Sequence, residues 1–500
     1  MDKVKLEFVA RITLPSGEVI ERKVTAADGM PAPDDFDISS TDGFLESFDA
    51  MEKVTLEARN RIAKDIAEAY LEEVSKKKQI ITTSTRIHRV ESEIGRLCMP
   101  NFKDVISTLK PKERVWSISF SRLCLDFCSE ISYRRVTDRI NAVLHRSSED
   151  SLKVRTLTDF VERVGSKIQD YLAAFSETVL DVHHFELEAA RSEDGPPISD
   201  VAAKPKPTTE QKIWEDEIAK KAEEINAQRP GREQIKDLRS LPYMESPKEK
   251  CCYISIDDIG VKHQKETRKD GGSKSVKYVQ NTVVHIQNDG GSYCLTASSM
   301  DEASRILLAF LLSNNLLWDY TLVFLADGAV NIKDDIEKYF SFHPYILILD
   351  WYHLKKKCKE LISMSLKGTK EQKKDYIKNI LRMLWVGNVQ EAIFYLNGLD
   401  ISQIKSNDWL KELIGYLGRK QAQIICYALR FELGLRISSN RVEKANDLLV
   451  AQRQKHGGMS WSFEGSHSLA SIAMVMQNKE MEQWLRTGSI SCSMPASVAA

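Results

Sequence analysis

No stretch of this chain is apolar for long. Its longer runs, such as Ile306 to Leu312 and Tyr345 to Leu349, fall well short of the roughly 20 residues that a membrane-spanning helix needs, so no membrane partner is expected. Charge of one sign is also lacking: a formal net charge of -1 gives no global pull toward nucleic acid or a lipid surface, and any DNA affinity must come from local patches. Nine cysteines include no Cys-x-x-Cys pair. That argues against a zinc or disulfide framework and suits a reducing compartment. Cys124 and Cys128, four apart on an apolar helix face, and Cys251 and Cys252, entering a strand, read as core. The start Met1-Asp2-Lys3 has no secretory pattern, which predicts a cytoplasmic protein. Repeats at solenoid spacing and extended low-complexity segments are absent too.

What remains is ordinary globular composition, 42% hydrophobic and 29% charged over 500 residues, enough for two or more domains. Val4 to Leu14 and Val19 to Val24 alternate around Pro15-Ser16-Gly17 and predict a hairpin. An acidic stretch, Asp28 to Asp49, leads into a helical pattern from Met51 to Lys77, and Val115 to Phe175 is helical again. The run Ala202 to Thr209, with two prolines and no bulky apolar residue, reads as a linker. A charged helix, Glu210 to Ala227, follows it. Beyond Lys250 the pattern changes to strands at Tyr253 to Val261, Tyr278 to Ile286 and Tyr293 to Ala297. Next come a helix at Asp301 to Leu312, a strand at Thr321 to Ala326, a helix near Ile332 to Tyr339 and a strand at Tyr345 to Leu349. That order predicts an α/β domain with a mixed sheet. From Lys355 to Leu435 nearly everything reads as helix.

Two aspartates end apolar strand runs, Asp257 after YISI and Asp327 after LVFLA. Open α/β sheets bind ligands at such carboxyl ends. Carboxylates gathered there repel one another and call for a cation. Magnesium takes oxygen ligands, and a metal pair about 3.5 to 4 Å apart can clamp both oxygens of a phosphoryl displacement. Taken singly, an Asp after a strand is more often a turn or cap residue, and Asp327-Gly328 is a good turn dipeptide. Asp258 rivals Asp257 as the first ligand.

Four segments taken together resemble the DDE transposases of bacterial insertion sequences, including their mutator-like relatives. SIDDIGV (Ser255 to Val261) is similar to the first-strand motif and LADGAVNI (Leu325 to Ile332) to the second. LDWYHL (Leu349 to Leu354) resembles an Asp-x-x-His element, matching Asp350 and His353. The stretch from Ser438 to Gly465 resembles the third-carboxylate region, with Glu443 followed by an Asn, a basic helix and a turn containing Gly458, Met459 and Trp461. Four motifs in order are far more specific than one. The likeness covers roughly Lys250 to Gln483. It departs from the pattern at Asp258, where many relatives have Gly, and is looser before residue 250.

The resemblance implies a ribonuclease-H-like core interrupted by a helical insertion, behind a mainly α N-terminal region. Its segments are 1–50 (hairpin), 51–198 (helical, DNA-binding candidate), 199–249 (linker and connecting helix), 250–354 (core, first part), 355–436 (insertion), 437–485 (third-carboxylate helix and C-terminal part) and 486–500 (tail). It implies that Asp257, Asp327 and Glu443 are both catalytic residues and ligands of two Mg2+ ions, with Mn2+ a substitute, cutting and joining DNA without a covalent enzyme intermediate. Partners would be terminal inverted repeats, target DNA and further copies of the chain, in a bacterial cytoplasm at the nucleoid. Asp350 and His353 would be auxiliary, against the alternative of a helix cap with a neighbouring His.

Arg441, Lys444, Arg453 and Lys455 are candidate phosphate contacts, against the alternative of a solvated face. The Lys355-Lys356-Lys357 cluster with Lys359 is either a DNA track or a soluble surface. Trp461 either stacks on a splayed base or plugs the core. Ile131 to Leu144 and Val154 to Ile168 have the sense of a helix-turn-helix, offering Arg155, Thr158 and Arg163 to a major groove and Arg134 and Arg135 to phosphates. Two ordinary packed helices fit that spacing as well. A nuclease without strand transfer and a domesticated, non-catalytic DNA-binding protein are the competing functions.

Overall fold

The computed structural model describes residues 4–13, 16–30, 32–78, 88–99, 114–185, 209–236, 245, 249–264, 277–456 and 458–495. The chain is mixed α/β, and among the described residues no helix is long and apolar enough to cross a membrane. It divides into two compact units, residues 1–164 with 480–490, and residues 165–479 with 491–500. The expected linker, 202–208, and Pro15 of the expected hairpin turn lie outside the described residues.

In the first unit, β1 (Val4–Thr13) and β2 (Val19–Met30) form the expected antiparallel hairpin, in the register Thr13 opposite Val19. Helix α1 spans Thr41–Lys77 and starts earlier than its apolar periodicity suggests, because Ser40 caps it by accepting from the Gly43 amide. Strands β3 (His88–Ser92), β4 (Gly95–Met99) and β5 (Val115–Trp116) make a second small sheet. Sequence periodicity missed it, since strands this short show little alternation.

Helices α2 (Ile118–Glu130), α3 (Tyr133–Val143) and α4 (Val154–Val182) follow, the last continuing out of this unit. Trp116 stacks on Phe160 at 3.8 Å between ring centres. Glu91, fully buried, accepts from Arg96 at 2.8 Å and Arg114 at 3.0 Å, and lies 3.3 Å from an Arg146 guanidinium nitrogen. One carboxylate thus gathers three guanidinium groups. Its loss would leave the buried Arg146 charge without its partner.

The second unit holds α5 (Thr209–Ala227), β6 (Cys251–Lys262), β7 (Tyr278–Gln287), β8 (Ser292–Ala297), α6 (Met300–Ser313), α7 (Leu316–Asp319), β9 (Thr321–Ala326), α8 (Val330–Phe340) and β10 (Tyr345–Leu349). The sheet order is β10-β9-β6-β7-β8. β6, β7 and β8 form an antiparallel meander, while β9 and β10 run parallel to β6. Parallel strands must be buried on both faces, and β9 reads Leu322 to Ala326 buried without interruption.

A helical layer then covers β9 and β10: α9 (Trp351–Ser365), α10 (Lys370–Trp385), α11 (Val389–Asn397), α12 (Asn407–Lys420) and α13 (Tyr427–Glu432). The chain returns to the sheet through α14 (Asn440–Asn446), which packs on β6 and β7. It runs on through a π-helical turn, Asp447–Ala451, and ends with α15 (Phe463–Gln477) and, in the first unit, α16 (Met481–Thr487).

Replacing Glu91 with Ala is expected to lower stability by about 3 to 5 kcal/mol, the usual cost of a buried charge stripped of its partner. Chemical denaturation would read this as a lowered midpoint, and an unchanged midpoint would refute the role given to Glu91.

Candidate active site

Register places the carboxylates. Ser255 of β6 lies opposite Leu325 of β9, and Ala326 of β9 opposite Leu349 of β10. Continuing the first pairing by two residues and the second by one brings Asp257, Asp327 and Asp350 level at one edge, on neighbouring strands roughly 4.8 Å apart. Three acidic groups so placed cannot all be ionised without help, and the protein treats each differently.

Asp350 is fully buried and saturated. Its Oδ1 accepts from the His353 amide at 2.8 Å and lies 3.1 Å from His353 Nδ1. Its Oδ2 accepts from the Ser439 amide at 2.6 Å and hydroxyl at 3.2 Å. Burial alone would raise its pKa, but the bonds from His353 and Ser439 outweigh that and hold it below the usual carboxylate range. Asp350 is also the N-cap of α9, so the capping alternative describes one of its bonds. The link to Ser439 is what sequence did not reveal: the residue preceding α14 turns its hydroxyl to Asp350 instead of capping its own helix.

His353 Nε2 then lies 3.8 Å from Glu443 Oε1. The bond to Asp350 raises the imidazole pKa against the effect of burial, with the charges of Asp350, Asp327 and Glu443 adding to the rise. Glu443 sits in the first turn of α14 with its side chain 50% exposed.

Asp257 is the first-strand carboxylate that faces this gathering. Its Oδ2 accepts from Asn446 Nδ2 at 2.6 Å, and its pKa is pushed up to about 6 by burial first and by the charge of Asp327 second. Asp258 points elsewhere, accepting from Thr282 at 2.6 Å and Asn331 at 3.2 Å. Strand alternation separates the two rivals. Asp327 accepts from the Ala329 amide at 2.7 Å through Oδ1, and its Oδ2 has no hydrogen-bond partner among the described residues. Gly328 follows with φ +90°, and a Cβ there would meet Leu349 Cδ1 at 2.6 Å, so only glycine makes this turn without strain.

Lys420 escaped the sequence reading, and Asn446 entered it only as the Asn that follows Glu443, with no role given. Asn446 follows Glu443 by three residues, which puts both on neighbouring positions of one helix face. Its Oδ1 is buried with no partner among the described residues. Directly beyond it lies the π-helical turn, a feature common at functional sites. Lys420 is buried, its pKa lowered by burial and by Lys333 while Asp327 opposes the shift.

Among the described residues no group of three or more His, Cys, Asp or Glu side chains stands ready to hold a metal ion. The donors nevertheless suit a hard cation: the carboxylates of Asp257, Asp327 and Glu443 supply only oxygen, and the orphaned Asn446 amide oxygen lies beside them.

The basic candidates divide. Arg441, Lys444 and Lys455 are exposed along α14 and after it. Arg453 is buried, with its guanidinium over the Trp461 ring at 4.8 Å. Trp461 is buried too: its indole N–H donates to the Gln454 carbonyl at 3.0 Å, and its backbone extends the pairing of β6 at Lys262 and Gln264. It is the core plug of the two readings, and neither Trp461 nor Arg453 presents a free surface to a base or phosphate.

In the first unit Arg134, Arg135 and Arg155 are exposed, the last paired with Asp159 at 2.8 Å. The Thr158 hydroxyl donates to its own helix at Val154, and Arg163 lies over the Phe160 ring and donates to the Arg114 carbonyl. The second helix of the expected reader runs to Val182, far beyond Ile168.

Comparison with family models, with curated proteins and with solved structures returns no match.

Asp350→Asn removes the charge that holds His353 and Ser439. The junction's stability through His353 is fully present below the ordinary imidazole pKa and is lost as pH rises through the raised folded value. The contribution of Asp350 is present above the ordinary carboxylate range and is lost as pH falls. The variant is expected to lose about 1.5 to 3 kcal/mol near neutral pH and to show a lower titration midpoint for the His353 ring protons by NMR. An unmoved midpoint would show that Asp350 does not set the state of His353.

Proposed function

We propose that this chain is a metal-dependent DNA phosphotransferase of the transposase type, with a ribonuclease-H-like catalytic domain in its second unit. The observation that carries the reading is that register brings Asp257 and Asp327 level on neighbouring strands, while the helix bearing Glu443 is tied to the same edge by the Asn446 bond to Asp257 and stands 3.8 Å from His353. The strand order supports it as well: an antiparallel meander followed by two strands parallel to the first is the arrangement expected of that domain.

Under this reading Asp257, Asp327 and Glu443 would hold the Mg2+ ions, or Mn2+ in their place. When bound, such ions lower the pKa of water and clamp the attacking and leaving oxygens of a phosphodiester. The chain's own residues do the rest. Asn446 and the Asp258 amide donate to the two oxygens of Asp257 and fix how that carboxylate stands. Asp350 holds both His353 and the residue before α14, and so sets where Glu443 stands. A protonated His353 offers a proton donor to Glu443 or to a phosphate oxygen. Lys420, buried near Asp327, adds positive charge on the strand side. Arg441, Lys444 and Lys455 offer phosphate contacts on the exposed face. Work on terminal repeats and target DNA, assembly of several copies on two DNA ends and a cytoplasmic site of action belong to the same reading.

Two outcomes are expected. With Mg2+, the purified protein nicks DNA carrying the flanking repeats of its gene and joins the 3′ end to a second duplex. Asp257→Asn, Asp327→Asn and Glu443→Gln each lower that rate by about a thousandfold or more, against about 4 kcal/mol of barrier. Cutting without joining would favour a nuclease, and binding without cutting would favour a non-catalytic protein.

The second outcome concerns stability. Because the folded pKa of Asp257 is raised, its ionised form opposes folding once pH passes from the ordinary carboxylate range to above about 6. In metal-free buffer Asp257→Asn should therefore be more stable than the parent by about 1 to 2 kcal/mol near neutral pH, with the advantage gone under acid conditions. Adding Mg2+ should raise the parent's Tm and leave the variant's unmoved. Equal metal response in both would remove Asp257 from the ligand set.

A further inference from the structure

One basic surface lies outside the carboxylate cluster. Helices α9 and α10 run antiparallel, since Trp351 at the start of α9 meets Trp385 at the end of α10, 4.7 Å between ring centres, while Lys373 near the start of α10 donates to the Ser363 carbonyl near the end of α9. With the segment 228–233 they enclose an open trough of about 660 Å³. Its walls carry Arg229, Lys355, Lys359, Lys374, Lys378 and Arg382, against Glu233 as the lone carboxylate among the lining residues.

The spacing arranges these cations in rows. Trp351, Lys355 and Lys359 step by four along one face of α9, and Lys374, Lys378 and Arg382 do the same along α10, so each row extends over roughly 12 Å. Arg382 reaches Glu233 at 3.5 Å, and Lys374 lies 4.0 Å from the exposed Glu371. Arg229, Lys355, Lys359 and Lys378 have no acidic partner within 4 Å among the described residues. Rows of like charge facing across a cavity repel, and a threaded polyanion relieves that repulsion while releasing counterions.

Shape and chemistry narrow the occupant. A trough of about 660 Å³ with cation rows roughly 12 Å long suits a short length of polyanion, and only an unpaired strand can turn a base face to the aromatic rings at its end. At one end the partly buried Trp351 and Trp385 rings line the trough and offer an aromatic edge of the sort on which a free base stacks. Trp351 follows Asp350 directly, so the aromatic end adjoins the carboxylate edge.

We propose that this trough binds a short unpaired stretch of nucleic acid, with its phosphates along the two cation rows and a base against Trp351 and Trp385. That the strand is the one leaving the carboxylates rests on the function proposed above; the binding itself does not.

The test is fluorescence anisotropy of a labelled short oligothymidylate with the full chain in EDTA, so that no cleavage intervenes. Lys355→Glu, Lys359→Glu and Lys378→Glu combined should weaken binding at least tenfold and lower the slope of log affinity against log salt by about 2, at roughly 0.7 per phosphate contact on a single strand. With the unaltered protein, an abasic oligomer of equal length should bind at least fivefold more weakly than oligothymidylate, in keeping with about 1 to 3 kcal/mol for a stacked base. Retained affinity and salt slope in the triple variant would overturn the inference. So would equal binding of the abasic strand, or of inorganic polyphosphate, by the unaltered chain, a comparison that does not depend on any variant folding. A protein that binds as expected yet never cuts leaves the trough standing and removes the proposed chemistry.

Discussion

Three aspartates on adjacent parallel strands, level at one sheet edge, set the problem that the second unit is built around. Like charges this close raise one another's pKa, and each of the three finds a different answer. Asp350 is buried and surrounded by donors, and stays ionised as a structural anion. Asp257 accepts from Asn446 and from the Asp258 amide, and burial with the charge of Asp327 still pushes its pKa up to about 6. Asp327 gives one oxygen to its own turn and keeps the other unpaired among the described residues. The repulsion is thus removed at Asp350 and left standing between the other two, where a cation has most to gain.

The same division explains why the chain can afford a long helical excursion between β10 and α14. A carboxylate on a distant helix is useful only if its helix returns to a fixed place, and propensity cannot ensure that. Here the return is tied at three points. Ser439 binds Asp350 ahead of α14, Asn446 binds Asp257 at its end, and Trp461 pairs with the backbone of β6 beyond it. Two of these ties end on aspartates of the sheet edge, so the geometry of the third carboxylate depends on the charges of the first group.

Much of this was legible in the residues, for identifiable reasons. Strand runs ending in Asp are visible because buried parallel strands are continuous apolar runs, and β6, β9 and β10 lie within a residue or two of expectation. Alternation alone could not rank Asp257 and Asp258, since it gives opposite faces without saying which face matters; in the fold Thr282 and Asn331 hold Asp258, while Asn446 and the Asp258 amide hold Asp257. Asp350 read as a cap or an auxiliary group, and its bond to Ser439 was invisible because it joins residues 89 apart. Trp461 and Arg453 read as candidates for DNA because sequence shows charge and aromaticity but not burial. The small sheet of β3, β4 and β5 was lost to its brevity.

His353 is the group through which these elements communicate. Its bond to Asp350 favours a proton on the ring, and such a proton draws Glu443, 3.8 Å away. Without it, the imidazole would be a neutral donor of modest strength, and the half-exposed Glu443 would gain more from water than from the sheet edge. Deprotonation of His353 as pH rises therefore weakens the hold on Glu443 at the same time as ionisation of Asp257 increases the repulsion with Asp327. Both changes run in one direction with pH: they leave the carboxylates less tightly restrained and more negative.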